Sequence, residues 1–212
     1  MTTPSTAPRP SAGLMVAPFP QPAQLVRLAY RELHIAATGT KEQIAALGDP
    51  ALLPRPWDPA SCIQPQLRRQ VWEWLEQVVT WLNSEYVWDA EAAVLPCWPQ
   101  HPHLVHEIAV LADQRRRAGA ELTSAALEEW HRYSLPAFQA RTRTRTAGHC
   151  QDGHEPWPAK ARHTRHTAEA AYRARAEVYD RDVLASRAGA SPAPPRPPRL
   201  SVVDLETGEL NP

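Results

Sequence analysis

Glycine, phenylalanine, methionine and cysteine are scarce in this 212-residue chain, at 8, 2, 2 and 3 residues against 23 prolines and 8 tryptophans. No Gly-rich phosphate loop, nucleophile elbow or ordered Ser/His/Asp set stands out, so nothing in the residues names a catalytic chemistry. With so little phenylalanine, the packing burden falls on indoles. Cys62, Cys97 and Cys150 are odd in number and widely spaced, which argues against a disulfide framework. No apolar run approaches the roughly 20 residues that span a bilayer. Leu14-Met15-Val16-Ala17 is too short, and too hemmed in by prolines, for a signal-peptide core. A soluble cytoplasmic protein without a membrane partner is the default expectation. Net charge is also lacking: 23 basic and 23 acidic residues balance, so whole-molecule attraction to nucleic acid is not expected.

What is present is helical periodicity. Trp74, Trp81 and Trp88 recur every seven residues, close to two helical turns, and predict one buried aromatic stripe. Pro65 stands where a helix tolerates proline, at its first position, and the periodicity carries that helix to about Val87. Leu67, Val71, Leu75, Val78 and Leu82 complete a broad apolar face. Before it, Gln24 to Leu47 reads as a helical hairpin broken at Gly39 and stopped at Gly48-Asp49-Pro50. After it, Asp89 to Pro102 reads as a loop and His103 to Ala118 as a helix closed by Gly119. Thr123 or Ser124, with Glu128 at capping-box distance, opens a further helix whose inward set is Leu127, Trp130, Tyr133 or Ser134, and Phe138. Pro136 is expected to kink or divide it. A last helix, with little aliphatic bulk, covers about Thr167 to Ser186.

The fold class expected is therefore all-α: an irregular helical domain over residues 23–187 with its core at about 64–139. Residues 1–22 form a disordered proline-rich head. Residues 188–212 form a proline-rich tail whose terminal peptide has a turn signal at Thr207-Gly208, suited to a short hairpin or an added strand.

Three constellations carry chemistry. Cys97-x3-His101 and Cys150-x3-His154 are two Cys/His pairs able to clamp zinc from two chain segments, since zinc takes four such ligands in a tetrahedron. Against this, Cys97 also reads as a small buried apolar residue and His101 as a hydrogen bonder at a helix entry. Arg141, Arg143 and Arg145 alternate with threonine, and Arg162 and Arg165 follow in a basic run. Between Arg141 and Ala188 ten Lys or Arg stand against six Asp or Glu. These arginines are the expected contacts for a nucleic acid or protein partner because their charge is locally unopposed. Their bland reading is a solvated surface or connector. Third, His101, His103 and His106 offer an acid/base cluster for an enzyme of unspecified reaction. His106-Glu107 is not a zinc-protease motif, because position 110 is Val.

Val71-Trp72-Glu73-Trp74-Leu75, Cys97-Trp98-x-x-His101-Pro102, the leucine-spaced helix to Arg115-Arg116-Arg117 and Trp130-His131 together resemble an uncharacterised actinobacterial family, domain of unknown function 4913. The likeness covers roughly residues 64–139, and Pro99 replaces a second tryptophan usual there. The resemblance implies a genomic setting on plasmids, integrative elements or phages more than an activity. The leading expectation is a non-enzymatic accessory protein of such an element that binds a protein partner or nucleic acid through the basic segment and the tail. A zinc-stabilised module is the alternative that the Cys/His spacing supports.

Overall fold

The computed structural model describes residues 15–146, 148–150 and 152–188, and these are all-α with no strand among them. The proline-rich tail and terminal hairpin expected over 188–212 lie, but for residue 188, outside the described residues. Contacts divide the chain at Glu155/Pro156 into two compact units, so the single domain expected over 23–187 is divided there. The first unit holds α1 (Gln24–Thr38), α2 (Lys41–Leu47), α3 (Pro65–Glu85), α4 (Pro102–Ala118), α5 (Ala125–Glu129) and α6 (Leu135–Thr146). The second holds α7 (Lys160–Thr167) and α8 (Glu169–Ala188). None of the described helices is long and apolar enough to cross a membrane.

Helix α3 is the axis of the first unit. Leu67, Val71, Trp74, Leu75, Val78, Val79, Trp81 and Leu82 are all buried along it. They meet Val26 and Ala29 of α1 on one side, and Leu104, Ile108, Leu111 and Ala112 of α4 on the other. The broad apolar face thus has the two neighbours its width requires. Two devices set the helical hairpin at the front. The Thr40 hydroxyl accepts from Gln43 N–H while the Gln43 side chain accepts from Thr40 N–H, a reciprocal cap on α2. Gly39 turns extended after α1 while its N–H still bonds to the Ile35 carbonyl, and a Cβ there would stand 2.6 Å from that oxygen.

Two expectations at the edges of α3 are corrected. Trp88 is not part of the buried stripe: α3 ends at Glu85, the period ends with it, and Trp88 is 98% exposed. Tyr86 takes its place, its ring 4.9 Å from Trp81 and 5.6 Å from Trp130. Residues 17–22, expected within the disordered head, lie against the core instead. Trp74 Nε1 donates to the Pro20 carbonyl at 3.0 Å and Trp81 Nε1 to the Ala17 carbonyl at 2.9 Å. Phe19 packs edge-on against both indoles.

The helix after Gly119 also departs from its expected start. Ser124 has helical angles, φ −78° and ψ −8°, and its side chain caps nothing, because a capping hydroxyl needs an extended backbone. Glu128 pairs with Arg132 at 3.2 Å rather than closing a capping box. A π-helical turn, Trp130–Ser134, joins α5 to α6, with Leu135 N–H bonded to the Trp130 carbonyl. That extra residue in the turn accommodates the missing N–H of Pro136 without a break, and it keeps both Trp130 and Phe138 buried while turning Tyr133 outward.

The core position of Trp74 sets an expectation for stability. Trp74→Ala should cost about 3–5 kcal/mol in urea unfolding, whereas Trp88→Ala should stay within about 0.5 kcal/mol of the parent. Equal effects of the two substitutions would contradict the end of the stripe at Glu85.

Candidate metal centre

The corner between α3 and α4 is built around Trp98. Its indole is 2% exposed, tilts against Trp72 at 5.6 Å and donates to Glu76 Oε2 at 3.1 Å, fastening the corner to α3. Asn83 fastens the preceding loop by exchanging two hydrogen bonds with the Val94 backbone, at 3.0 and 2.9 Å. Trp98–Gln100 forms a 3-10 turn between Cys97 and His101, and His101 stands at the residue before α4, which begins at Pro102. One tight turn between Cys97 and His101 brings Cys97 Sγ to 3.3 Å from His101 Nε2.

The second half comes from the segment after α6. Gly148 has φ 67°, Cys150 φ 59° and Gly153 φ 143°. Cys150 is the one non-glycine residue with positive φ among those described. Such a backbone costs on the order of 1–3 kcal/mol and persists where surrounding interactions determine it. Here it turns Cys150 Sγ inward to 3.4 Å from His101 Nε2, while Glu155 N–H donates to the same sulfur at 3.3 Å. His154 completes the set, its ring centroid 4.9 Å from that of His101.

Cys97, His101, Cys150 and His154 thus converge: one ligand atom from each lies within 4.8 Å of every other. In a tetrahedral site with metal distances of about 2.0–2.3 Å, neighbouring ligand atoms stand roughly 3.3–3.8 Å apart. The two S···N separations to His101, 3.3 and 3.4 Å, already fall in that range. His101 and Cys150 are buried, Cys97 is half-buried and His154 is exposed, so the site is sealed by the core on one side and open to solvent at one ligand.

The electrostatics favour a cation. Burial, followed by the neighbouring His154, His103 and His149, holds His101 below the ordinary histidine value and keeps a lone pair free. Burial pushes the Cys97 thiol up, and hydrogen bonding and charge from Cys150 add to it. Two sulfurs held together in a buried corner resist ionisation unless a positive ion sits between them, and metal coordination deprotonates such thiols outright. His149 Nδ1, 3.3 Å from Glu155 Oε2, ties the residue beside Cys150 to the one that donates to its sulfur. His149 and Glu155 had no signal in the sequence as supporting residues. Cys62 is elsewhere, buried with its thiol toward the Arg55 carbonyl.

The other expected site residues fare differently. Arg141–Thr146 is the end of helix α6 and no connector. Arg141 and Arg145, one turn apart, both reach Glu107, Arg141 at 2.7 Å, and Arg143 reaches Asp89 at 3.0 Å. The expectation that their charge is locally unopposed is therefore corrected: helical spacing aims them at carboxylates on α4 and on the loop after α3. Arg162 and Arg165 lie exposed on α7 and make no ion pair with a described residue. Of the three histidines, His101 and His103 have ring centroids 5.9 Å apart. His106 is exposed and borders a cavity that neither of the other two lines.

Comparison with family models, curated proteins and solved structures finds no match to this chain. The site is thus read from its own geometry.

Glu107 supplies a pH dependence. Burial acts to raise its carboxyl, but hydrogen bonds and charges from Arg141 and Arg145 outweigh that and hold it below the ordinary carboxylate value of 4.5. A depressed folded-state value means stability that is present above about pH 4.5 and lost as pH falls through the lower value. Glu107→Gln should remove that part of the acid sensitivity and cost about 1 kcal/mol or less at pH 7, since both arginines are nearly half exposed. Unfolding curves of the two proteins that stay parallel from pH 7 to about pH 3 would contradict the pairing.

Proposed function

We propose that this chain is a zinc-stabilised interaction module, with Cys97, His101, Cys150 and His154 as the zinc ligands and no open coordination position for catalysis. The observation that carries the reading is the convergence of four soft or borderline ligand atoms from two chain segments within 4.8 Å. Four protein ligands with two thiols are the donor set of structural zinc sites, and a catalytic site keeps one position for water. The chemistry that zinc supplies here is a cross-link. His101 and Cys150 are 49 residues apart in sequence, so joining them removes much freedom from the unfolded chain. The clip holds the segment after α6 against the start of α4.

An accessory role on a mobile element is the setting that the resemblance to domain of unknown function 4913 implies, with a protein or nucleic acid as partner. What supports nucleic acid over protein as the partner is α7. Its sequence Lys160-Ala161-Arg162-His163-Thr164-Arg165-His166-Thr167 is wholly exposed and contains no carboxylate. Trp157, its ring 5.6 Å from that of His163, adds a partly exposed surface on which a base can stack.

Protein purified without chelator should carry about one zinc per chain, and Cys97→Ser and Cys150→Ser should each lose it. A loss near 3 kcal/mol corresponds to a fall of roughly 6–12 °C in melting temperature for a chain of this length. Chelator should lower the parent to the same point, and His106→Ala should retain the metal. Metal-free protein with a Cys97–Cys150 disulfide, or serine variants that melt like the parent with and without chelator, would sink the zinc reading.

For nucleic acid, the expected readout is salt dependence. Arg162→Gln with Arg165→Gln should reduce the log–log slope of affinity against salt by about two. Replacing Arg141, Arg143 and Arg145 should lower stability more than it changes that slope. An unchanged slope in the α7 double variant leaves a protein as the partner.

A further inference from the structure

Between residues 19–22, helix α1 and the end of α4 lies a cavity of about 610 Å³, bordered by Phe19, Pro22, Arg27, Tyr30, Arg115 and Arg116. Neither the zinc ligands nor α7 takes part in it. Its volume lies in the roughly 300–1,000 Å³ range of small-molecule sites. No aspartate or glutamate lines it.

Arg115 is the central feature. Its guanidinium carbon stands 5.3 Å from the centroid of Phe19, 5.5 Å from that of Trp81 and 5.7 Å from that of Trp130. Three rings therefore hold a cation in place, and its side chain makes no ion pair or hydrogen bond with a described residue. Its neighbours on α4 behave otherwise, since Arg116 and Arg117 share Asp113, each at 2.9 Å. Arg116 also lies 3.6 Å over the Tyr30 ring. Arg27 donates one nitrogen to the Pro22 carbonyl at 3.1 Å and has no carboxylate partner among the described residues.

Gly119 belongs to the same arrangement. Its φ is −76°, an angle open to any residue, yet a Cβ there would stand 2.7 Å from Arg115 Nη1. The glycine leaves space rather than serving a special backbone conformation, and the Arg115 guanidinium takes that space, so that a Cβ there would displace it. An arginine already fixed by aromatic faces surrenders little rotamer freedom when an anion arrives, so less of the interaction is spent on ordering.

We propose that this cavity binds a small phosphate monoester. Arg115, Arg27 and Arg116 take the phosphate head, and Phe19, Pro22 and Leu127 cover the organic group. One bidentate arginine saturates a carboxylate, whereas three guanidinium groups around one space match a dianionic head with several acceptor oxygens. Inorganic phosphate alone leaves most of the cavity, and its apolar lining, without a partner.

The test is calorimetric titration of the full chain, zinc-replete, at low salt with phenyl phosphate, inorganic phosphate and benzoate. Phenyl phosphate should bind about tenfold more tightly than either of the others. Arg27→Gln, at an exposed position, should weaken it about tenfold with an unchanged melting temperature. Arg115→Gln should abolish binding, and because that guanidinium also packs on core rings, Gly119→Ala provides an independent variant that displaces it without removing charge. Gly119→Ala should weaken phenyl phosphate by about tenfold while leaving zinc content at parental level. Failure of phenyl phosphate to bind, benzoate binding as tightly, or parental affinity in both Arg27→Gln and Gly119→Ala would overturn the assignment.

Discussion

A buried indole must find an acceptor for its N–H, and in this protein that requirement fixes how separate parts of the chain meet. Four indoles are almost fully buried: Trp74, Trp81, Trp98 and Trp130. Their donors go to Pro20 O, Ala17 O, Glu76 Oε2 and Leu111 O. The first two bonds place residues 17–20 across α3, the third fastens the metal corner to α3, and the fourth joins the π-helical turn to α4. Proline suits the strap, because Pro18, Pro20 and Pro22 have no donors of their own and an extended run leaves its carbonyls unclaimed. The same side chains that fill the core thus also position the N-terminal strap and the Cys97–His101 corner.

Much of this was legible in the sequence where the signal is periodic. The α3 face from Leu67 to Leu82 and the α4 face from Leu104 to Ala112 follow from 3.6-residue spacing, which survives any tertiary arrangement. The failures fall where the period says nothing about where a helix stops. Trp88 keeps the heptad spacing but lies beyond Glu85, so only the helix end decides its exposure. Composition misled at the other end: a proline-rich stretch reads as a linker, and only the distant indoles of Trp74 and Trp81 supply the bonds that order it. At the candidate metal centre, the C-x3-H spacing singled out Cys97, His101, Cys150 and His154, which lie close enough to share an ion. It carried no information on whether the pairs meet. Their meeting depends on the positive φ of Cys150 and on α6 lying beside α4, and neither is encoded in spacing.

Burial of Leu135 and Phe138 against the core, with charge pairing between α6 and α4, accounts for the second of these conditions. Read linearly, Arg141, Arg143 and Arg145 are a basic run, but on a helix they split between two faces. Two of them reach Glu107 and the third reaches Asp89, so the run is divided among carboxylates far away in sequence. Each exposed pair contributes about 1 kcal/mol or less, too little to seat α6, whose Leu135 and Phe138 are buried in the core. A local count of charges overstates the free charge of a helix whenever its partners lie on another element. In α7, by contrast, neither the helix itself nor any described ion pair supplies a carboxylate, and there the linear reading stands.

The two halves of the Cys/His cluster are built with unequal support. The Cys97–His101 half is held by Trp98, Glu76 and Asn83 before any other ligand is considered. The Cys150–His154 half has few comparable anchors: its backbone takes positive φ at Gly148, Cys150 and Gly153, and His154 is exposed. Its internal bonds, Glu155 N–H to Cys150 Sγ and His149 to Glu155, are local and bury little apolar area. A strained turn of this kind persists only when a further interaction offsets its cost. The packing of α6 beside α4, with its ion pairs to Glu107, brings the turn within reach of His101, and a metal held by the two thiols and two imidazoles would supply the interaction that offsets its cost. The Cys97–His101 corner is therefore anchored by the core independently of the cluster, whereas the glycine-flanked turn leans on the cluster itself.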